Sequence, residues 1–174
     1  LAVVDMNLDG RLDVVTSSYH TMDGTAPFWV WVWLGKGDGT LLPVVRSEGG
    51  WGQWALAMWD VNKDGLPDVL TTNFLGYYFS QYPLGTLYLM TGIGDGTLGP
   101  AVAVKEGLPT GFGNDLALGD VDRDGNLDMV SPSGGGVSVL WGNANGSFAD
   151  SLLPSLWNPV RVEIADVNND SLPD

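Results

Sequence analysis

The chain has no cysteine and a single histidine among its 174 residues. Disulfides and thiol chemistry are thereby excluded, and so is a metal site or relay built on several imidazoles. Basic residues are scarce as well: seven Lys and Arg stand against 21 Asp and Glu, a formal net charge of -14. Such a balance repels phosphate backbones and anionic membrane surfaces, so nucleic acid is set aside as a partner. No apolar run reaches the ~18 residues of a membrane span, and no signal-peptide pattern opens the chain. No segment has a sustained helical period. Gly-x-Ser-x-Gly, His-Glu-x-x-His and phosphate-loop motifs are all missing, and His20 reads as a loop residue rather than a base or ligand. The sequence is therefore expected not to be an enzyme. Carboxylate pairs for glycoside hydrolysis are formally present, but the best placed belong to the pattern described next.

What the chain has in quantity is glycine, 25 residues, and aspartate in a repeated arrangement. A nine-residue pattern, Asp-x-Asn/Asp-x-Asp-Gly/Ser-x-x-Asp, begins at Asp5, Asp60, Asp120 and Asp166 and holds 13 of the 21 acidic residues. A hard cation such as calcium takes about six to eight oxygens, and a tight loop with carboxylates or amides at alternate positions points them inward. Glycine at sixth place permits the sharp turn, after which the seventh residue can offer its carbonyl. The candidate ligand sets are Asp5, Asn7, Asp9, Arg11 and Asp13; Asp60, Asn62, Asp64, Leu66 and Asp68; Asp120, Asp122, Asp124, Asn126 and Asp128; and Asp166, Asn168, Asp170, Ser171 and Asp174. Asp, Asn and Gly also cluster in ordinary hairpin turns. Four copies in one register, each entered from an apolar strand, favour the metal: three to four structural Ca2+ ions, the fourth site weakest because Ser171 replaces the glycine. Carboxylates so crowded repel one another without a cation, so binding should be coupled to folding.

A second signature recurs between the acidic loops: Leu34-Gly35-Lys36-Gly37-Asp38-Gly39-Thr40-Leu41, Thr91-Gly92-Ile93-Gly94-Asp95-Gly96-Thr97-Leu98 and Trp141-Gly142-Asn143-Ala144-Asn145-Gly146-Ser147-Phe148. Asp-Gly and Asn-Gly between apolar strands predict hairpins in which both central residues take positive φ. A phosphate-gripping role is disfavoured because no helix pattern follows. Each unit then reads strand, acidic loop, strand, variable loop, strand, glycine turn, strand. The loop-to-loop periods of 55, 60 and 46 residues suit four-stranded propeller blades. The expected divisions are blades at about 1–48, 49–108 and 109–156, with the start of a fourth at about 157–174 and its first strand at Val162 to Ala165. In Phe28-Trp29-Val30-Trp31-Val32-Trp33-Leu34 tryptophans take one face and valines the other, which predicts a strand buried on both sides inside a sheet stack.

These loops, the Gly50-Trp51-Gly52 and Gly111-Phe112-Gly113 approaches and the Gly-x-Gly-Asp-Gly-Thr turns resemble the FG-GAP, or VCBS-type, repeat of integrin α-subunit propellers and many bacterial surface proteins. The resemblance spans essentially the whole chain. It implies an all-β fold, a β-propeller of four-stranded antiparallel blades with calcium between the first and second strands of a blade. Three repeats and the opening of a fourth fall short of a closed ring of about four to eight blades. The expectation is an incomplete part of a longer chain, the remaining blades being its first partner, with self-association as the other route to closure. The chain opening at Leu1 rather than Met agrees with that expectation.

The family includes adhesion receptors, lectins and accessory modules of secreted enzymes, and the fold does not choose among them. The reading favoured is an extracellular or cell-surface module for adhesion or protein binding, because loops of this kind suit the near-millimolar calcium found outside cells. Its recognition surface is expected on the loops Ser17 to Pro27 and Asn73 to Gly85, with Tyr19, His20, Tyr77, Tyr78, Phe79 and Tyr82. The alternatives are a lectin, in which Trp51, Trp54 or Trp157 stacks on a sugar ring, or an accessory domain of a larger secreted enzyme. Asn145 and Asn169 match the glycosylation acceptor pattern and are read as chance matches in turns.

Overall fold

Short runs of β-branched and aromatic residues, each stopped by an acidic or glycine-rich loop, dictate short strands and tight reversals. The computed structural model describes residues 1–18, 28–50, 53–73, 85–108, 115–144, 147–154 and 159–173. The first sheet comprises β1 (Ala2–Val4), β2 (Asp13–Ser17), β3 (Trp29–Trp33) and β4 (Val45–Glu48). The second comprises β5 (Gln53–Trp59), β6 (Asp68–Asn73), β7 (Thr86–Met90) and β8 (Val102–Glu106), and the third β9 (Ala117–Gly119), β10 (Asp128–Ser133), β11 (Gly136–Gly142) and β12 (Phe148–Pro154). Each sheet is an antiparallel meander with its strands in chain order, the make-up of a propeller blade, and the whole is consistent with an incomplete propeller. Among the described residues there is no helix, and none therefore long and apolar enough to cross a membrane.

In this topology the acidic loops join the first strand of a sheet to the second, and the glycine turns join the third to the fourth. Antiparallel order puts both at the same end of the sheet. The second strand ends and the third begins at the other end, where in the third sheet only Gly134 and Gly135 separate the Ser133 and Gly136 pair.

The chain divides into two compact units, Leu1–Asn73 with Leu87–Val104, and Phe74–Thr86 with Lys105–Asp174. In the first unit, directly opposed residues share a sheet face, so Val15 opposite Val32 and Val69 opposite Met90 each build half of an apolar layer. Met6, Val15, Val30, Val32, Val69, Met90 and Leu98 form its buried core, flanked by Ala2, Val4, Leu34, Leu56 and Met58. Two glycines allow the approach of larger groups: a Cβ on Gly50 would sit 2.4 Å from the Tyr88 ring, and one on Gly96 2.9 Å from Leu34.

The two faces of β3 are not equally covered. Val30 and Val32 are buried, whereas Trp29, Trp31 and Trp33 are half-buried. On that second face Trp31 and Trp33 stack with ring centroids 6.3 Å apart, and the Arg46 guanidinium lies 4.6 Å from the Trp29 ring centre. The alternation is the one the sequence predicts, but the tryptophan face is less covered than expected, because pattern reports which residues share a face and not what lies against it.

In the second unit every residue of β10 is buried. Met129, Val130, Val139 and Leu140 supply the apolar part of this core. Its polar members are paired: Ser138 Oγ donates to Ser133 Oγ at 2.8 Å, and Ser131 Oγ to the Asp115 carbonyl at 2.7 Å. The Val162 to Ala165 segment, expected as a strand, has no ladder, since no strand lies beside it among the described residues. It is held instead by the Val162 amide, which donates to Asp115 Oδ2 at 2.9 Å, and by Ile164, whose Cδ1 would lie 3.3 Å from a Cβ on Gly119.

Met90 is fully buried and Val3 is 55% exposed. Met90→Ala is expected to lower unfolding free energy by about 2–5 kcal/mol and Val3→Ala by less than about 0.5 kcal/mol. Urea denaturation of the two variants checks this.

Candidate metal loops

The four acidic loops share one backbone. At sixth place Gly10, Gly65 and Gly125 have φ of 84°, 88° and 85°, and Ser171 takes the same turn at 66°. The fourth place is also left-handed, with φ of 57° at Leu8, 61° at Lys63, 64° at Arg123 and 61° at Asn169. None of these is glycine, and each bears roughly 1–2 kcal/mol of backbone strain. No residue preference marks the fourth place, so the sequence did not reveal it.

Carboxylates offset that strain by accepting loop amides. The first aspartate accepts the fifth and sixth amides: Asp9 N to Asp5 Oδ1 at 3.1 Å and Gly10 N to Asp5 Oδ2 at 2.8 Å, with the same pair at Asp60 and Asp166. The third residue accepts the fifth amide through Asn7, Asn62, Asp122 and Asn168. The fifth accepts the seventh amide, from Arg11, Leu66, Asn126 and Leu172. Oxygens of positions one, three and five thus converge in every copy. Ser171 serves the turn in place of glycine, and its carbonyl accepts Arg123 Nη2 at 3.0 Å. Asp174 lies outside the described residues.

In the third loop the carboxylate oxygens of Asp120, Asp122 and Asp124 come within 4.8 Å of one another, the one such acidic group among the described residues. Asp120 Oδ1 is buried there without a hydrogen-bond partner. A convergent set of hard oxygens with an orphaned buried atom fits a calcium ion by the chemistry of its donors.

The ninth aspartate has a further function that sequence reasoning missed. Asp13, Asp68 and Asp128 are completely buried. One oxygen of each accepts the amide of the loop's second residue: Met6 at 2.8 Å, Val61 at 2.9 Å and Val121 at 2.8 Å. The other accepts the amide of a glycine that begins the turn signature: Gly35 at 2.7 Å, Gly92 at 2.9 Å and Gly142 at 2.8 Å. The two repeated signatures are therefore clamped together. Burial pushes the Asp68 carboxyl up from its ordinary range, against the Gly92, Val61 and Asn62 amides that pull it down.

The clamped glycines are required by close approach and not by conformation. A Cβ on Gly35, Gly92 or Gly142 would stand 2.2, 2.4 or 2.1 Å from the carbonyl oxygen of Leu12, Pro67 or Leu127, the residue before each buried aspartate. The constancy of this glycine after every third strand was the signal that could have disclosed the clamp.

The turns themselves differ from the two-residue hairpin expected. Positive φ falls on the glycines either side of the aspartate, at Gly37 and Gly39 and at Gly94 and Gly96, while Asp38 and Asp95 stay on the ordinary side. The loop closes more widely, with Lys36 N donating to Thr40 O at 3.0 Å and Ile93 N to Thr97 O at 3.2 Å. The aspartate accepts the threonine hydroxyl, at 2.6 Å for Thr40 and 2.5 Å for Thr97, as well as its amide. These bonds, the hydroxyl's first, hold the Asp38 and Asp95 carboxyls below the usual range.

Tyr19, His20, Tyr77, Tyr78, Phe79, Tyr82, Trp51 and Trp157 all lie outside the described residues, as does the Trp54 side chain.

Gly142→Ala is expected to destabilise by about 1–3 kcal/mol or more through collision with the Leu127 carbonyl. Gly10→Ala, with open space around its Cβ, should lose only the ~1–2 kcal/mol of left-handed strain. Comparing their melting curves separates the two roles of glycine. Thr97→Val should return the Asp95 carboxyl toward 3.8. A depressed folded pKa adds stability above the unfolded value that is lost as pH falls through the folded one, so this variant should lose less stability on acidification than the parent. Carboxyl-carbon NMR titration reads the shift directly.

Residues 5–71 and 120–174 match the FG-GAP-like repeat. No curated protein matches the chain. The matched stretches contain all four acidic loops, two of the clamping aspartates' glycine partners and most of the first and third sheets, and on that evidence the chain belongs to the family of FG-GAP-like repeats.

Proposed function

We propose that the chain is a non-catalytic, calcium-stabilised binding module of an extracellular or cell-surface protein, used for adhesion or protein binding. The observation that supports it is the third loop, where three gathered carboxylates leave the buried Asp120 Oδ1 without a partner. Bound calcium would neutralise the carboxylates of positions one, three and five and complete the coordination that the loop amides only begin. Asp5, Asn7 and Asp9 would hold it in the first loop, Asp60, Asn62 and Asp64 in the second, and Asp120, Asp122 and Asp124 in the third. Asp166, Asn168 and Asp170 would do so in the fourth. In the first three loops Asp13, Asp68 and Asp128 would anchor the site from beneath through the amides they already accept.

The ion's role is then structural. Both its loops and the glycine turns occupy one end of each sheet, which leaves the second-to-third strand connections, Ser17 to Pro27 and Asn73 to Gly85, to meet a protein or glycan ligand at the other. Weak sites suffice at extracellular calcium concentrations, which is the reason for placing the module outside the cell.

Chelation of calcium should lower the melting temperature, each ion held at a hundred times its dissociation constant being worth about 2.7 kcal/mol. Asp64→Ala should remove one ion from the native mass spectrum and reduce the response to chelator. Identical melting curves with and without calcium, together with a metal-free mass, would overturn the proposal.

A further inference from the structure

We infer that the four loops are unequal and that the third, through Asp122, is the high-affinity cation site that fills before the others. This rests on the calcium reading above and goes beyond it by ranking the sites from this chain's own residues. In the first and second loops the third-place residue is asparagine, and its side-chain amide partly satisfies the fifth-place carboxylate from within. Asn7 Nδ2 donates to Asp9 Oδ2 at 3.3 Å and Asn62 Nδ2 to Asp64 Oδ2 at 2.8 Å. In the first loop Arg11 Nη1 also lies 3.5 Å from Asp9 Oδ2, a cation already in place.

In the third loop the fifth-place carboxylate is satisfied from the seventh place, Asn126 Nδ2 donating to Asp124 Oδ2 at 2.8 Å, so the loops differ at the third place itself. There the Asp122 side chain carries no N–H and adds a fourth carboxylate to the loop, beside Asp120, Asp124 and Asp128. The fifth amide, Asp124 N, bonds to Asp122 Oδ1 at 3.1 Å, and the first-place oxygen that accepts it in the other three loops is the orphaned Asp120 Oδ1. The guanidinium nearest in sequence is committed elsewhere, since Arg123 Nη2 donates to the Ser171 carbonyl at 3.0 Å. Charge concentrated in a loop already shaped by its own amides is the combination that raises affinity for a divalent cation. Asp122 is therefore the residue that sets the order of filling.

The test is calcium titration of the full chain by isothermal calorimetry, with native mass spectrometry to count ions. The parent is expected to bind one calcium at least about tenfold more tightly than the rest. Asp122→Asn, which installs the residue the other loops carry, should abolish that first step without changing the number of ions bound at saturation. Asn62→Asp should create a second tight step. Equivalent binding steps in the parent, or a tight step that persists in Asp122→Asn, would overturn the ranking while leaving the calcium reading intact. Absence of any bound calcium would overturn both.

Discussion

Each sheet depends on a buried carboxylate. Asp13, Asp68 and Asp128 sit where an ionised group without partners would be far too unfavourable to keep, and each is made tolerable by two backbone amides, one from its own loop and one from the end of the third strand. The amide at the start of the acidic loop fixes how the chain leaves the first strand. The glycine amide fixes where the third strand ends. Because that glycine also lies against the carbonyl preceding the aspartate, attraction and steric exclusion act at the same point. In the third sheet the same scaffold carries the gathered carboxylates of Asp120, Asp122 and Asp124, the group to which we assign a cation under the proposed function.

Much of this was legible in the residues. The spacing of acidic loops and glycine turns gave the strand order of all three sheets, and the left-handed sixth position followed from Gly10, Gly65 and Gly125. The clamp leaves only a partial trace, the glycine that recurs at the end of each third strand, because the separation of Asp13 from Gly35 and of Asp128 from Gly142 varies and does not pair them. The left-handed fourth position escaped for a different reason. Leu8, Lys63, Arg123 and Asn169 share no property beyond being forced into that conformation by the bonds around them. The turns depart from the two-residue hairpin that Asp-Gly predicts because a threonine two residues on draws the aspartate into a wider loop.

The uneven faces of β3 illustrate the limit of pattern in another way. Valines and tryptophans alternate as a strand requires, but the valine layer meets a second sheet whereas the indoles rest on one another and beneath Arg46. Stacked indoles and a guanidinium over a ring lower the exposed apolar area on that face. The final acidic loop makes the converse point. Its segment forms no ladder, yet Ser171 and its neighbours adopt the same turn as the first three loops, so the loop geometry is set by its own amides and carboxylates.

The clamp spans 22, 24 and 14 residues in the three sheets, and the difference is absorbed at the opposite end, where the third sheet closes with Gly134 and Gly135 alone. For protein engineering this makes that short turn a graft point. A foreign peptide of a length the first two sheets already accommodate could be displayed between β10 and β11, while Asp128 and Gly142 keep the scaffold in register beneath it.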